Sequence, residues 1–286
     1  MVGRPKAIAG SRPTSAMSSG RACGTGLIRA SWYDFPQYYD LAFRSETRPE
    51  ADFIEAACQK YCDFPVRRLL EPACGSGRLV VEMASRGYRV TGLDLSRTAL
   101  GYLRSKLKRR GLHARLLLAD MSAFRLPCRF DAAYNTFDGF RHLLDQRQAR
   151  SHLKCVADSL RPGGIYILGF HLLPPDASPH CIERWTERRG RLQVTVTLRV
   201  VATNRRLRRE QIRIIVLVRS GRRMFRIRDE FPLRIYTAGQ FLELLASVPD
   251  LQLCDVYDFW YEIDRPLRLD DRMSDTVFIL KRRAAG

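Results

Sequence analysis

Residues 69–79 read LLEPACGSGRL. Two leucines run into a carboxylate, and then Ala73, Cys74, Gly75, Ser76 and Gly77 follow in a row before apolar residues resume. An apolar run that ends this way reads as a short buried strand turning into a helix. Its small residues leave the backbone open, so that something can lie directly against it. In an open α/β sheet, ligands bind at the carboxyl ends of the strands, where free N–H groups of a helix start favour an anionic group. The small residues alternate as AxGxG, which is neither the dinucleotide GxGxxG nor a phosphate-binding loop followed by Lys-Ser/Thr.

Outward from this loop, strand and helix alternate. A helix over 48–61 places Phe53, Ile54, Ala57 and Tyr61 on one face, and strand 67–74 leads into a helix over 77–86. RVTGLDLS (89–96) is a second strand, followed by a helix over 97–110; ARLLLADM (114–121) and FDAAYNTF (130–137) are the third and fourth. A helix over 146–160 is closed by RPGG, and IYILGFHLL (165–173) is a fifth strand. Such alternation predicts an α/β fold with a parallel sheet covered on both faces. The period then changes to two: in RLQVTVTLRVV (191–201), Leu192, Val194, Val196, Leu198 and Val200 share one face. With LRREQIRIIVLV and RMFRIRDEF this forms an antiparallel β insertion over about 181–232. Thr237 and Gln240 make a capping box for the next helix, and two strands close the chain.

The 286 residues, 45% of them hydrophobic, are enough to bury a full core. No stretch is apolar for long enough to span a membrane. The scattered cysteines show no zinc spacing and read as reduced thiols, which places the protein in the cytoplasm. Net charge is +19, concentrated in two regions. One is a basic tail, 1–31, expected to be disordered; organellar import of that tail, or a true start at Met17, are its alternative readings. The other is the arginine-rich insertion, which raises the question of nucleic acid. Arg205, Arg206, Arg208 and Arg209 flank a turn there and are expected to face water.

The strand ends carry the discriminating residues. Asp94 closes the second strand, placed for an acid to accept from both hydroxyls of a ribose. Asp120 and Met121 follow the third, with a carboxylate for an amino group and an apolar side chain for a ring face, and Asn135 ends the fourth. Each acid alone is an ordinary capping carboxylate. Glu71, Asp94 and Asp120 on three successive strands, with a glycine loop after the first, make a site.

These segments together (EPACGSGR, GYRVTGLDLS, LLLADM and FDAAYNTF), with QYYDLAF upstream, resemble the consecutive motifs of class I S-adenosylmethionine-dependent methyltransferases. The likeness is to the small-molecule branch and runs from about Tyr33 to Lys281. It implies a Rossmann-like, doubly wound, seven-stranded and mostly parallel sheet with an antiparallel last strand, forming one methyltransferase domain over 32–286. The implied cofactor is S-adenosyl-L-methionine, with no metal. Carried over by position, Glu71 orients the loop and the cofactor's amino-acid end. Ala73, Cys74, Gly75, Ser76 and Gly77 line its methionine and ribose, with Cys74 a small residue and not a nucleophile. Asp94 holds the ribose, Leu95 packs on adenine, and Asp120 with Met121 holds the adenine edge. Asn135 completes the set. Tyr39, in the YYD segment, is placed near the sulfonium, with core packing as its alternative. His142 is the candidate base, with a purely structural histidine as its alternative.

The acceptor reading is a small or medium metabolite methylated on nitrogen or oxygen, because the insertion roofs the site in this branch. The (N/D)PP(Y/F) signature of amino-methylating nucleic-acid enzymes is absent. RNA held by the arginine-rich insertion is the alternative acceptor, and a non-catalytic nucleotide-binding regulator is the alternative class. The residues leave the oligomeric state open.

Overall fold

A computed structural model describes residues 26–178 and 180–284. The chain opens with strand β1 (Gly26–Arg29), a 3-10 turn over Trp32–Asp34, helix α1 (Pro36–Ala42) and helix α2 (Thr47–Tyr61). Alternation follows: β2 (Arg68–Pro72), α3 (Arg78–Ser85), β3 (Arg89–Asp94), α4 (Arg97–Arg109), β4 (Arg115–Leu118), β5 (Phe130–Asn135), α5 (Gln146–Ser159) and β6 (Leu160–His171). Then come β7 (Ile182–Arg189), β8 (Leu192–Asn204), β9 (Arg209–Ser220), β10 (Arg223–Arg234), α6 (Ala238–Ala246), β11 (Leu251–Tyr257) and β12 (Asp275–Arg282).

Seven strands form the main sheet in the order β11-β12-β6-β5-β2-β3-β4, with β12 antiparallel to both neighbours. The order reverses between β2 and β5, so the loops after these two strands diverge and open a crevice at their carboxyl ends. Apolar clusters fill both faces: Leu70, Phe140, Phe170 and Phe278 on one side, Leu69, Val80, Leu103 and Tyr134 on the other. RPGG does not merely stop α5, because β6 already begins at Leu160, where it pairs with Phe130.

The insertion is a second sheet, β1-β10-β9-β8-β7. Its alternating residues Val194, Val196, Ile212, Ile214, Val216 and Val218 are buried against Trp32, Leu41, Ala42 and Phe43 of the N-terminal segment. This third core joins the insertion to the mouth of the crevice.

Here the expected disordered tail needs correction. Residues 26–29 pair in parallel with Phe225–Arg228 of β10. The Asp229 carboxylate accepts from Ser31 Oγ (3.2 Å) and Trp32 N (2.9 Å), which anchors the segment just after β1. Tail residues 1–25 lie outside the described residues. All four residues of β1 are exposed, so the strand contributes ladder bonds and little burial. Deleting residues 1–30 is therefore expected to cost no more than about 1–2 kcal/mol, a fall of roughly 2–8 °C in Tm. A larger fall in a thermal melt would mean that the tail packs more extensively than β1 does.

No helix among the described residues is long and apolar enough to cross a membrane.

Candidate active site

The loop between β2 and α3 turns through three left-handed residues: Ala73 (φ 54°), Gly75 (φ 51°) and Gly77 (φ 67°). Gly77 has a second reason to be glycine, because a Cβ there would meet Leu103 Cδ1 at 2.3 Å. The loop is fixed from the neighbouring strand. Asp94 Oδ2 accepts from Gly75 N at 2.7 Å, Asp94 Oδ1 accepts from Ser96 N at 2.8 Å, and Leu93 O accepts from Cys74 N at 2.9 Å. Desolvation raises the Asp94 pKa, opposed by these backbone donors. Next to it Leu95 is 68% exposed, an apolar side chain held out at the crevice edge.

Beneath the loop lies a set of buried polar groups. Glu71 is 7% exposed, and burial pushes its carboxyl up to about 8 despite nearby Arg78. Arg78 Nη2 pairs with Glu50 at 2.6 Å, and Glu50 also accepts from Thr136 Oγ1. Among the described residues, Ser76 Oγ, Arg78 Nη1 and Asn135 Oδ1 are buried here with no hydrogen-bond partner, and the Glu71 carboxyl has only the Tyr134 hydroxyl beside it. Native proteins seldom leave such groups unpaired, so a cluster of donors and acceptors facing one loop fits a polar ligand. Glu50, Arg78 and Thr136 were not singled out from the sequence; Arg78, next to Gly77, was the visible clue.

The remaining predicted residues divide. Cys74 contributes its backbone to the loop, but its thiol points into the core, in line with a small packed residue: a Cβ on Gly92 would meet Cys74 Sγ at 2.9 Å. Burial holds that thiol well above its ordinary pKa. Asn135 Nδ2 donates to Pro72 O (2.9 Å), tying β5 to the loop. Asp120 lies two residues beyond β4, where Oδ1 accepts from Ser122 N and Oγ (2.7 and 2.8 Å). Met121 is buried in the core, and its carbonyl lies 2.8 Å from His152 Nδ1.

Above the loop stands an aromatic wall. The Tyr39 ring lies 4.7 Å from Trp32 and 4.8 Å from Phe43, and Phe43 lies 5.7 Å from Phe137. Burial raises the pKa of Tyr39 and of Tyr33, so both phenols stay protonated. Among the described residues, no hydrogen bond or ring contact joins His142 to Tyr39. Its Nε2 is 3.0 Å from Tyr33 Oη, and its ring stacks on Phe231 of β10 at 5.5 Å. Desolvation by these neighbours lowers the His142 pKa, which leaves the imidazole neutral at pH 7. Tyr33, a second functional candidate, was missed because nothing in the WYD tripeptide marks it.

Behind His142 a buried ion network sets the loop. Asp138, at φ 51°, accepts from His171 N (3.0 Å) and pairs with His171 Nδ1 (2.8 Å) and Arg141 (3.3 Å). Burial alone would raise the Asp138 carboxyl; His171 and Arg141 overcome it and hold it well below the ordinary range. Arg141 also pairs with Glu210 of β9, so the insertion and the crevice loop share one charge cluster.

Residues 69–164 match a family model described as a methyltransferase domain. The chain is 32% identical over 142 residues to a ubiquinone biosynthesis O-methyltransferase of Azoarcus sp. (strain BH72), covering 45% of this chain and 58% of that protein. It is 28% identical over 165 residues to dTDP-3-amino-3,6-dideoxy-alpha-D-glucopyranose N,N-dimethyltransferase of Streptomyces fradiae, covering 57% and 63%. The chain spans about half the length of the methyltransferase-named relatives from Geobacillus sp. and Bacillus subtilis, 56% and 42%. In shape it resembles an S-adenosylmethionine-dependent methyltransferase from Clostridium acetobutylicum (TM-score 0.72, 19% identity, 89% of this chain and 100% of that one). It also resembles the sugar N-methyltransferase KedS8 from Streptoalloteichus sp. (TM-score 0.69, 17% identity, 95% and 100%). At such identities the likeness is one of fold. Residues 69–164 thus resemble a methyltransferase domain, and they lie in a chain whose fold is that of the solved methyltransferases named here.

Proposed function

We propose that this chain is an S-adenosylmethionine-dependent methyltransferase acting on nitrogen or oxygen of a small metabolite. The observation that carries the reading is Asp94, whose carboxylate closes on the Gly75 and Ser96 amides beside a loop ringed by unpartnered buried polar atoms. The charged groups around the loop fit the cofactor: Glu71 would receive its ammonium, Arg78 its carboxylate and Asp94 its ribose hydroxyls. Leu95 would cover the adenine, and Asp120 and Met121 would border it.

When bound, the cofactor supplies a methyl group on a positively charged sulfur. The donor is thus already activated, and the protein's task is proximity and alignment. Tyr39, Phe43 and Phe137 present ring faces that suit a cation and exclude water. His142, neutral and paired with Tyr33, takes a proton from an acceptor hydroxyl or ammonium at the opposite side. The insertion core packs on Trp32 and Phe43 beside the aromatic wall, which favours a small acceptor over a large one. The relatives named above include one O- and one N,N-methyltransferase, which supports the small-acceptor class and leaves the atom as nitrogen or oxygen. Conversion of S-adenosylmethionine to S-adenosylhomocysteine in the presence of a small hydroxylated or amino acceptor tests the reading. Absence of binding to either nucleoside would reject it.

A pH dependence follows. With its pKa at about 8, Glu71 is mostly protonated in the empty protein at pH 7. Because this carboxyl sits above its ordinary value of 4.5, the empty fold holds a proton that the unfolded chain has lost. Its contribution to stability therefore falls as pH rises between those two values. An incoming ammonium demands the ionised form, so binding S-adenosylhomocysteine at pH 7 releases a proton. Calorimetry in two buffers of different ionisation enthalpy should give different apparent enthalpies, and Glu71→Gln should make them equal. Equal values in the wild type would remove Glu71 from this role.

A further inference from the structure

The turn between β8 and β9 does something its sequence conceals. Arg205, Arg206 and Arg209 are exposed as expected, but Arg208 is not. It takes a left-handed backbone (φ 54°), uncommon for a side chain of its size, and folds inward. Its guanidinium carbon lies 5.1 Å from the centroid of the Tyr236 ring, while that of Arg234, at the end of β10, lies 5.0 Å from the same ring. Arg234 is 4% exposed and Tyr236 fully buried. Two cations thus crowd one aromatic ring at the seam between the insertion and the main sheet.

Among the described residues, neither charge is paired with a carboxylate. Arg208 Nε and Nη2, Arg234 Nε and Nη1, and the Tyr236 hydroxyl are all buried without a hydrogen-bond partner. Arg234 Nη2 donates to Gln146 Oε1 at 2.5 Å, and that partner is uncharged. Glu210 is taken up by Arg141. Glu243 and Asp145 act on Arg208 and Tyr236 through space, and neither forms an ion pair with Arg208 or Arg234 among the described residues. Desolvation and the neighbouring Arg234 both lower the Arg208 pKa, the direction expected for a cation lacking its anion. An unpaired buried charge is costly, and two against the same ring more so. Guanidinium groups present N–H donors in a planar fork that matches carboxylate and phosphate oxygens.

We propose that Arg208, Arg234 and Tyr236 form an oxyanion-binding site for a phosphate group, separate from the glycine loop and entered from the half-exposed Arg208 side. The main chain ties the site to the crevice. Arg234 O accepts from Arg141 Nε (3.0 Å), Arg208 O accepts from Ile235 N (3.0 Å), and Arg141 precedes His142. A phosphate bound here would also clamp the β8–β9 turn onto the domain.

The test is calorimetric titration with inorganic phosphate at constant ionic strength, on the full chain and on Arg208→Gln, Arg234→Gln and Tyr236→Phe. Wild type should bind saturably, and Arg208→Gln at least tenfold more weakly, with affinity for S-adenosylhomocysteine unchanged within twofold. If Arg234→Gln fails to fold, Arg208→Gln on its turn and Tyr236→Phe still decide. Phenyl phosphate forms a second arm. Binding equal to that of inorganic phosphate marks a site for a phosphate carried on a larger molecule, and binding of inorganic phosphate alone marks a closed ion site. No saturable phosphate binding, or equal affinity in wild type, Arg208→Gln and Tyr236→Phe, overturns the proposal. Because the cofactor product is titrated separately, its loss would count against the methyltransferase reading and not against this one.

Discussion

Asp94→Ala is expected to weaken binding of S-adenosylhomocysteine by about 30–150-fold, or ~2–3 kcal/mol, the range for hydrogen bonds to a charged group. Two losses combine. The proposed ribose hydroxyls lose their acceptor, and the Gly75 and Ser96 amides lose the carboxylate that holds them at 2.7 and 2.8 Å. Since Gly75 lies in a turn of left-handed residues, the loop would also be freer before binding. Asp94→Asn separates the two effects, because its amide oxygen still accepts from one backbone N–H. It should recover part of the affinity. Calorimetry showing equal affinity in wild type and Asp94→Ala would remove Asp94 from the site, whatever the fold.

The sequence was most informative where local chemistry and global position coincide. Ala73–Gly77 has to turn left-handed after a buried strand, and only small residues do that cheaply, so the loop and its place at a strand end were both readable. Alternation of period two likewise gave the insertion, because β8 and β9 bury one face only. Partnerships between distant segments were not readable. Glu50 of α2 meets Arg78 and Thr136, and His142 meets Tyr33, more than a hundred positions earlier. No periodicity marks such pairs. Arg208 shows the limit most plainly. Among the arginines of its turn, only a left-handed φ distinguishes it, and the sequence offers no glycine to announce one. The β1 strand was hidden in a different way, since an exposed edge strand next to a basic tail carries no burial pattern.

Gly169→Ala is expected to produce the largest change in stability, and the effect should reach the site. A Cβ at this position of β6 would lie 2.0 Å from Thr136 O and 2.6 Å from Thr136 C. The obstacle is backbone on the adjoining β5 loop, so no side-chain rotation relieves it. Moving that loop would disturb the Asp138 N–H bond to Gly169 O (3.0 Å), the His171 contacts of Asp138 and the Thr136 bond to Glu50. Overpacking of this kind costs about 3 kcal/mol, a fall in Tm of roughly 6–12 °C. Gly101, in the middle of α4, has nothing within 4 Å of its would-be Cβ and serves as the control. Gly101→Ala should be neutral or raise stability by up to about 1 kcal/mol, because alanine is the better helix former. A Gly169→Ala protein that melts within a degree or two of wild type would show that the β5 loop has slack. The tight placement of Asp138 and His142 could then not depend on this glycine. A large fall, with methyl transfer lost more steeply than cofactor binding, would show why the strand must give way here: the loop carrying the proposed base crosses β6 at Gly169, where no side chain stands in its way.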